Sequence, residues 1–166
     1  MSQDLRSYLE LIRRKTPEDI LVVSREVDPA YEITGIVAKL EQEARRRPIL
    51  LFEKVKGSKF PVLTNLHASR SRLAVAMKAR PEEMQKAFLK AMEKPIRPRI
   101  VSKAPVKEVV LTGKRMNLYD LPQIVHHEGD AGPYFTAAIS FAKDPDRKST
   151  RLNSSHIQKS RMPSSA

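Results

Sequence analysis

The sequence predicts a mixed α/β (α+β) amino-terminal domain over residues 1–100, followed by the start of a β-rich unit over 101–145. Three observations predict it. Apolar stripes at helical spacing alternate with short continuous apolar runs in the first hundred residues. A proline-broken connector without periodicity then interrupts the pattern at Lys94–Ile100. Beyond it, the apolar residues gather into strand-like runs.

The elements follow in order. Leu5, Tyr8, Leu9 and Ile12 recur at helical spacing, with Ser2 or Asp4 available to cap the start. Arg13, Arg14 and Lys15 end that helix where its dipole favours cations, and Thr16-Pro17 breaks it. Ile20–Val23 reads as a buried strand. Asp28-Pro29 supplies a cap and a proline at the first helical position, and Ile33, Ile36, Val37 and Leu40 form the second stripe. Arg45-Arg46-Arg47-Pro48 closes it, and Ile49–Phe52 is the next strand. Lys56-Gly57-Ser58 turns the chain into Phe60–Thr64, where Pro61 suggests a sheet edge or a strand start. A helix resumes at Ser71 with Leu73, Ala76 and Met77 on one face. A second, after Arg80-Pro81, places Met84, Phe88, Ala91 and Met92 toward the core. After a boundary near 100–106, Val106–Leu111 and Tyr134–Ala142 read as strands on either side of a Gly113 turn.

Composition excludes several classes. The 166 residues carry 31 Lys+Arg against 19 Asp+Glu, a net charge of +12, and no cysteine. Without cysteine there are no disulfides, no thiolate-bound zinc or iron–sulfur clusters and no thiol catalysis. No run approaches the roughly 18 apolar residues of a membrane span, and the amino end lacks a signal-peptide layout. A soluble, cytoplasmic protein is the expectation.

Residues 146–166 stand apart. Ser, Arg and Lys dominate the stretch DRKSTRLNSSHIQKSRMPSSA, its four apolar residues have no period, and it reads as a disordered basic tail. Asp146–His156 and Ser160–Ala166 also resemble a sequencing adapter translated in one frame. The natural sequence is therefore expected to run only to about Pro145 before the artefactual tail begins. The tail holds five basic residues (Arg147, Lys148, Arg151, Lys159, Arg161) and one acid (Asp146). Without it the net charge falls from +12 to +8.

Few residues carry a recognisable chemistry. His126-His127-Glu128-Gly129-Asp130 is the densest group of potential metal ligands. Adjacent strand residues point to opposite faces, and the two-histidine helical spacing is absent, so a polar loop is expected. His67 is a lone histidine at a strand end. Gly129–Gly132 has the outline of a nucleotide-clamping G-x-x-G loop but carries an acid and lacks flanking helices. The basic groups Arg45–Arg47 and Arg97/Arg99 sit at a helix end and in a linker, with acids interleaved, which favours solvated charge over a nucleic-acid surface.

Several segments, in order, resemble the start of a UbiD-type carboxy-lyase. They are Asp4–Leu9, Glu26–Thr34 (EVDPAYEIT), Leu50–Gly57 (LLFEKVKG), Phe60–Asn65 (FPVLTN), Ser69–Arg72 (SRSR), Asp120-Leu121-Pro122, and Gly129–Tyr134 (GDAGPY). The resemblance implies a prenylated-FMN decarboxylase of aromatic or α,β-unsaturated carboxylic acids, with Mn²⁺ and K⁺ holding the flavin in a split-barrel middle domain. It implies that 101–145 is the truncated start of that split barrel. The full-length protein would be a homo-oligomer acting on a small carboxylic acid, with neither membrane nor nucleic acid as partner. The family's catalytic Arg and Glu residues and its metal ligands would fall beyond Pro145, so no catalytic or metal residue is assigned here. Neither Arg97 nor Arg115 is a substitute for the missing arginine. Thr136, two residues after Tyr134, is the one cofactor-binding candidate, and the fragment alone is expected to be inactive and to retain no flavin. The competing reading is a small basic protein that binds nucleic acid or an acidic partner, signalled by affinity that falls steeply with salt.

Overall fold

In the computed structural model of the chain, the described residues are 4–97, 100–137, 139–143 and 150–154. Helix α1 (Leu5–Lys15) opens with a capping box. The Asp4 carboxylate accepts the Ser7 N–H at 2.9 Å while Ser7 Oγ accepts the Asp4 N–H at 3.2 Å. A short 3₁₀ turn at Pro17–Asp19 leads into β1 (Ile20–Val27). Helix α2 (Glu32–Gln42) then connects to β2 (Ile49–Val55), and β3 (Val62–Thr64) follows a turn in which Gly57 adopts φ 75°.

These strands form one sheet in the order β1–β2–β3. The β1–β2 pair is parallel and the β2–β3 pair antiparallel. The β1–β2 register runs from Ile20 opposite Ile49 to Val23 opposite Phe52, then slips by one before Val27 meets Val55. Ile33, on α2, joins Val27, Leu50, Phe52, Val55 and Val62 in the core, with Ile36, Val37 and Leu40 packed against it. Ile124, from beyond the connector, enters the same cluster and is only 7% exposed.

Helices α3 (Arg70–Ala76) and α4 (Met84–Glu93) complete the amino-terminal part. Arg72 on α3 is 2% exposed and joins four parts of the chain. One terminal nitrogen lies 3.3 Å from Asp19, and the other donates to the carbonyls of Asn65 (3.2 Å) and Arg47. The Arg72 carbonyl accepts the Tyr8 hydroxyl of α1 at 3.1 Å. Burial raises the Tyr8 pKa, against a smaller opposing effect of the Arg72 charge.

Several sequence expectations change. Helix α2 begins at Glu32, not at Pro29, because Tyr31 takes φ 67° and Ala30 is drawn into an extended bridge with Val125. The Phe60–Thr64 strand shortens to β3. On α4, Met84 is buried as expected, but Phe88 and Met92 are 55% and 66% exposed. The helical stripe is real, yet no described element covers its outer part. Val106–Leu111 is not a strand: Pro105–Lys107 forms a 3₁₀ turn, and among the described residues no neighbour offers a ladder. The Tyr134–Ala142 run becomes a strand only at β4 (Ile139–Lys143).

Strand β4 pairs antiparallel with β5 (Thr150–Ser154), which lies inside the stretch expected to be a disordered tail. That pairing satisfies the backbone groups along one edge of β4. The rest of 146–166 lies outside the described residues. Among the described residues no helix is long and apolar enough to cross a membrane.

Candidate functional site

The Glu26–Thr34 segment builds a turn whose purpose is visible in its hydrogen bonds. The Asp28 carboxylate accepts the Ala30 N–H at 2.8 Å and faces Lys56 Nζ at 3.2 Å. The Glu32 carboxylate accepts the Asp28 N–H at 2.6 Å and pairs with Arg25 at 2.6 Å. Both acids are held below the usual carboxylate range, Asp28 first by the Ala30 N–H and then by Lys56, Glu32 first by the Asp28 N–H and then by Arg25. The turn so fixed presents Pro29–Tyr31 as a short template edge. Val125 N–H donates to the Pro29 carbonyl at 3.2 Å, and Tyr31 N–H donates to the Val125 carbonyl at 3.0 Å.

Val125 lies in the segment that leads toward Thr136. Ile124 anchors it in the core, and its carbonyl accepts the Tyr134 N–H at 3.0 Å. The intervening loop closes on itself. Asp130 Oδ2 accepts the N–H groups of His126 (3.2 Å) and His127 (2.8 Å). The His126 ring sits 4.6 Å from the Tyr134 ring, with Nε2 3.2 Å from the Tyr134 carbonyl. This is the polar loop expected for His126–Asp130, with Asp130 engaged by the backbone. Among the described residues no three His, Asp or Glu side chains converge to hold a metal. Thr136 lies in an exposed turn two residues past Tyr134.

The remaining candidates separate. His67 is exposed in the turn after β3, its ring tilted against Tyr8 at 5.6 Å. Arg97 and Arg115 lie in exposed connecting segments, and Arg99 lies outside the described residues. Arg45–Arg47, read from sequence as a solvated helix end, are exposed as expected, and they line an open cleft together with Arg70 and Arg72. Sequence reasoning missed this because the two groups are 25 residues apart, and missed the burial of Arg72 because a charged residue opening a helix is ordinarily exposed.

Two successive family models match the chain. Residues 11–92 match the 3-octaprenyl-4-hydroxybenzoate carboxy-lyase N-terminal domain, and residues 99–159 match the Rift-related domain of the same enzymes. The chain is 31% identical over 146 residues to the anhydromevalonate phosphate decarboxylase of Methanothermobacter thermautotrophicus, a match covering 86% of this chain and 30% of that protein. Among solved structures it resembles an evolved dimeric form of the UbiD-class enzyme HmfF from Pelotomaculum thermopropionicum in complex with prFMN. That likeness has a TM-score of 0.76 and 38% identity, and it covers 91% of this chain and 34% of that one. It also resembles apo 3,4-dihydroxybenzoic acid decarboxylase (AroY) of Klebsiella pneumoniae, with TM-score 0.79 and 28% identity, covering 91% and 33%. The chain thus spans about a third of the length of the proteins it matches.

Proposed function

The chain belongs to the UbiD family of carboxy-lyases, and from that premise we propose that it is the amino-terminal third of a decarboxylase using prenylated FMN on an aromatic or α,β-unsaturated carboxylic acid. The observation that carries this reading is the succession of the two matched domains along the chain. The prFMN bound to the HmfF neighbour supports the choice of cofactor.

In this reading the chain's own residues act as scaffold. The Asp28–Glu32 turn clamps Val125, Ile124 locks the segment to the core, and the His126–Tyr134 loop delivers the chain to Thr136 on the flavin side. Residues 101–145 begin the split barrel that the remainder of a full-length protein would close. The flavin supplies an electron sink for the charge left when CO₂ departs. Among the described residues no three His, Asp or Glu side chains converge to hold a metal, and in this reading Mn²⁺ and K⁺ belong with the rest of that protein. The chain by itself is inactive. The full-length protein is a cytoplasmic homo-oligomer, in keeping with the dimeric HmfF neighbour.

Two preparations test this. The chain alone, co-expressed with a flavin prenyltransferase and purified, is expected to show no flavin absorption band; a retained band refutes the inactive reading. Residues 1–137 exchanged for the matching part of HmfF are expected to give a flavin-loaded, active decarboxylase. A folded chimera that loads flavin but does not decarboxylate refutes the scaffold assignment.

A further inference from the structure

We propose that the arginine cleft between the α2–β2 connection and the start of α3 binds an oligophosphate group, free or carried on a small molecule. The cleft has a volume of about 670 Å³, within the range of small-ligand sites. Five arginines and two acids line it: Arg45, Arg46, Arg47, Arg70 and Arg72, with Asp19 and Glu41.

The acids are already engaged, Asp19 with Arg72 at 3.3 Å and Glu41 with Arg47 at 2.5 Å. Arg46 and Arg70 are oriented by neutral carbonyls, those of Glu18 at 2.7 Å and Pro81 at 3.1 Å. A carbonyl fixes a guanidinium without cancelling its charge. Among the described residues Arg45, Arg46 and Arg70 have no carboxylate partner, so three positive charges converge on one concavity uncompensated. Guanidinium forks match phosphate oxygens in pairs.

Arg45 sits at φ 49°, in the left-handed region past the end of α2, where glycine is the unstrained residue; Lys78 does the same past α3, outside this cleft. The ligand class follows from the lining. Single-stranded nucleic acid needs aromatic platforms, and no aromatic residue lines this cleft. A single carboxylate would leave most of the charge unmatched, whereas a pyrophosphate engages several forks at once.

The test is calorimetric titration of the full chain with inorganic pyrophosphate and, separately, ADP, at low salt. Saturable binding that weakens with added salt is expected. Comparable affinity for both probes indicates that the pyrophosphate group is what is read; tighter ADP binding indicates a carried group. Arg45→Gly removes a charge and relieves the strained backbone. It should weaken binding about tenfold, the effect of losing one charge-assisted contact, while the melting temperature holds or rises. Arg70→Gln should weaken it similarly, and Lys90→Gln, an equal loss of charge outside the cleft, by less than about twofold. No saturable binding, or an Arg45→Gly protein that binds like the parent, overturns the proposal. So does RNA bound far more tightly than either probe with affinity growing with length, which would make the surface a nucleic-acid interface.

Discussion

Ile124→Ala tests whether the segment beyond the connector is part of the amino-terminal fold. Ile124 is 7% exposed and contacts a cluster drawn from β1, α2, β2 and β3. Truncating a buried isoleucine to alanine costs about 3 kcal/mol, from lost transfer energy and the cavity left behind. Removing the segment altogether also deletes the two backbone bonds between Val125 and Pro29–Tyr31. At about 1 kcal/mol each, these bring the loss for a chain ending at residue 100 to about 5 kcal/mol. That is comparable with the whole stability of many domains. Urea unfolding followed by circular dichroism is the assay. The variant should lose about 3 kcal/mol at unchanged m-value, and Val110→Ala, at an exposed position, about 0.5 kcal/mol or less. If Ile124→Ala is as mild as Val110→Ala, or if residues 1–100 unfold at the same midpoint as the full chain, the segment is not part of this core.

Arg72→Leu should destabilise by about 3 kcal/mol in the same assay, because Asp19 and two carbonyls lose their buried donor. Tyr8→Phe should cost about 1 kcal/mol, the value of its bond to the Arg72 carbonyl. The raised Tyr8 pKa also has a pH signature. Its stabilisation is complete below the unfolded tyrosine value of about 10 and is lost as pH climbs through the higher folded value. Ultraviolet titration should show a late-ionising tyrosine that is absent in Tyr8→Phe. Asp28 and Glu32 act in the opposite direction. Their folded values are lowered, so their contribution is intact above about pH 4.5 and lost as pH falls through the lowered values. Asp28→Ala should flatten that acid limb and raise the amide exchange rate of Val125; an unchanged limb would show that the turn does not depend on the charge.

What the sequence determined by itself was local and periodic. The stripe Leu5–Ile12 with its Asp4 cap, the runs at Ile20 and Ile49, the Gly57 turn and the break at Thr16-Pro17 all rest on contacts within a few residues, and each appears where expected, although the Ile20 run, read as a buried strand, leaves Val22 47% exposed. The polar character of His126–Asp130 was equally legible, since its spacing could not aim the ligands at one ion. Tertiary structure decided what depends on a partner far along the chain. The stripe on α4 is as periodic as that on α2, yet α2 lies against the sheet while Phe88 and Met92 face outward. Val106–Leu111 has strand composition but no ladder to join. The start of α2 was displaced by Val125, nearly a hundred residues away, and the arginine cleft exists only because α3 returns beside the α2–β2 connection. Periodicity reports which face of an element is apolar; only the folded chain determines what, if anything, comes to lie against it.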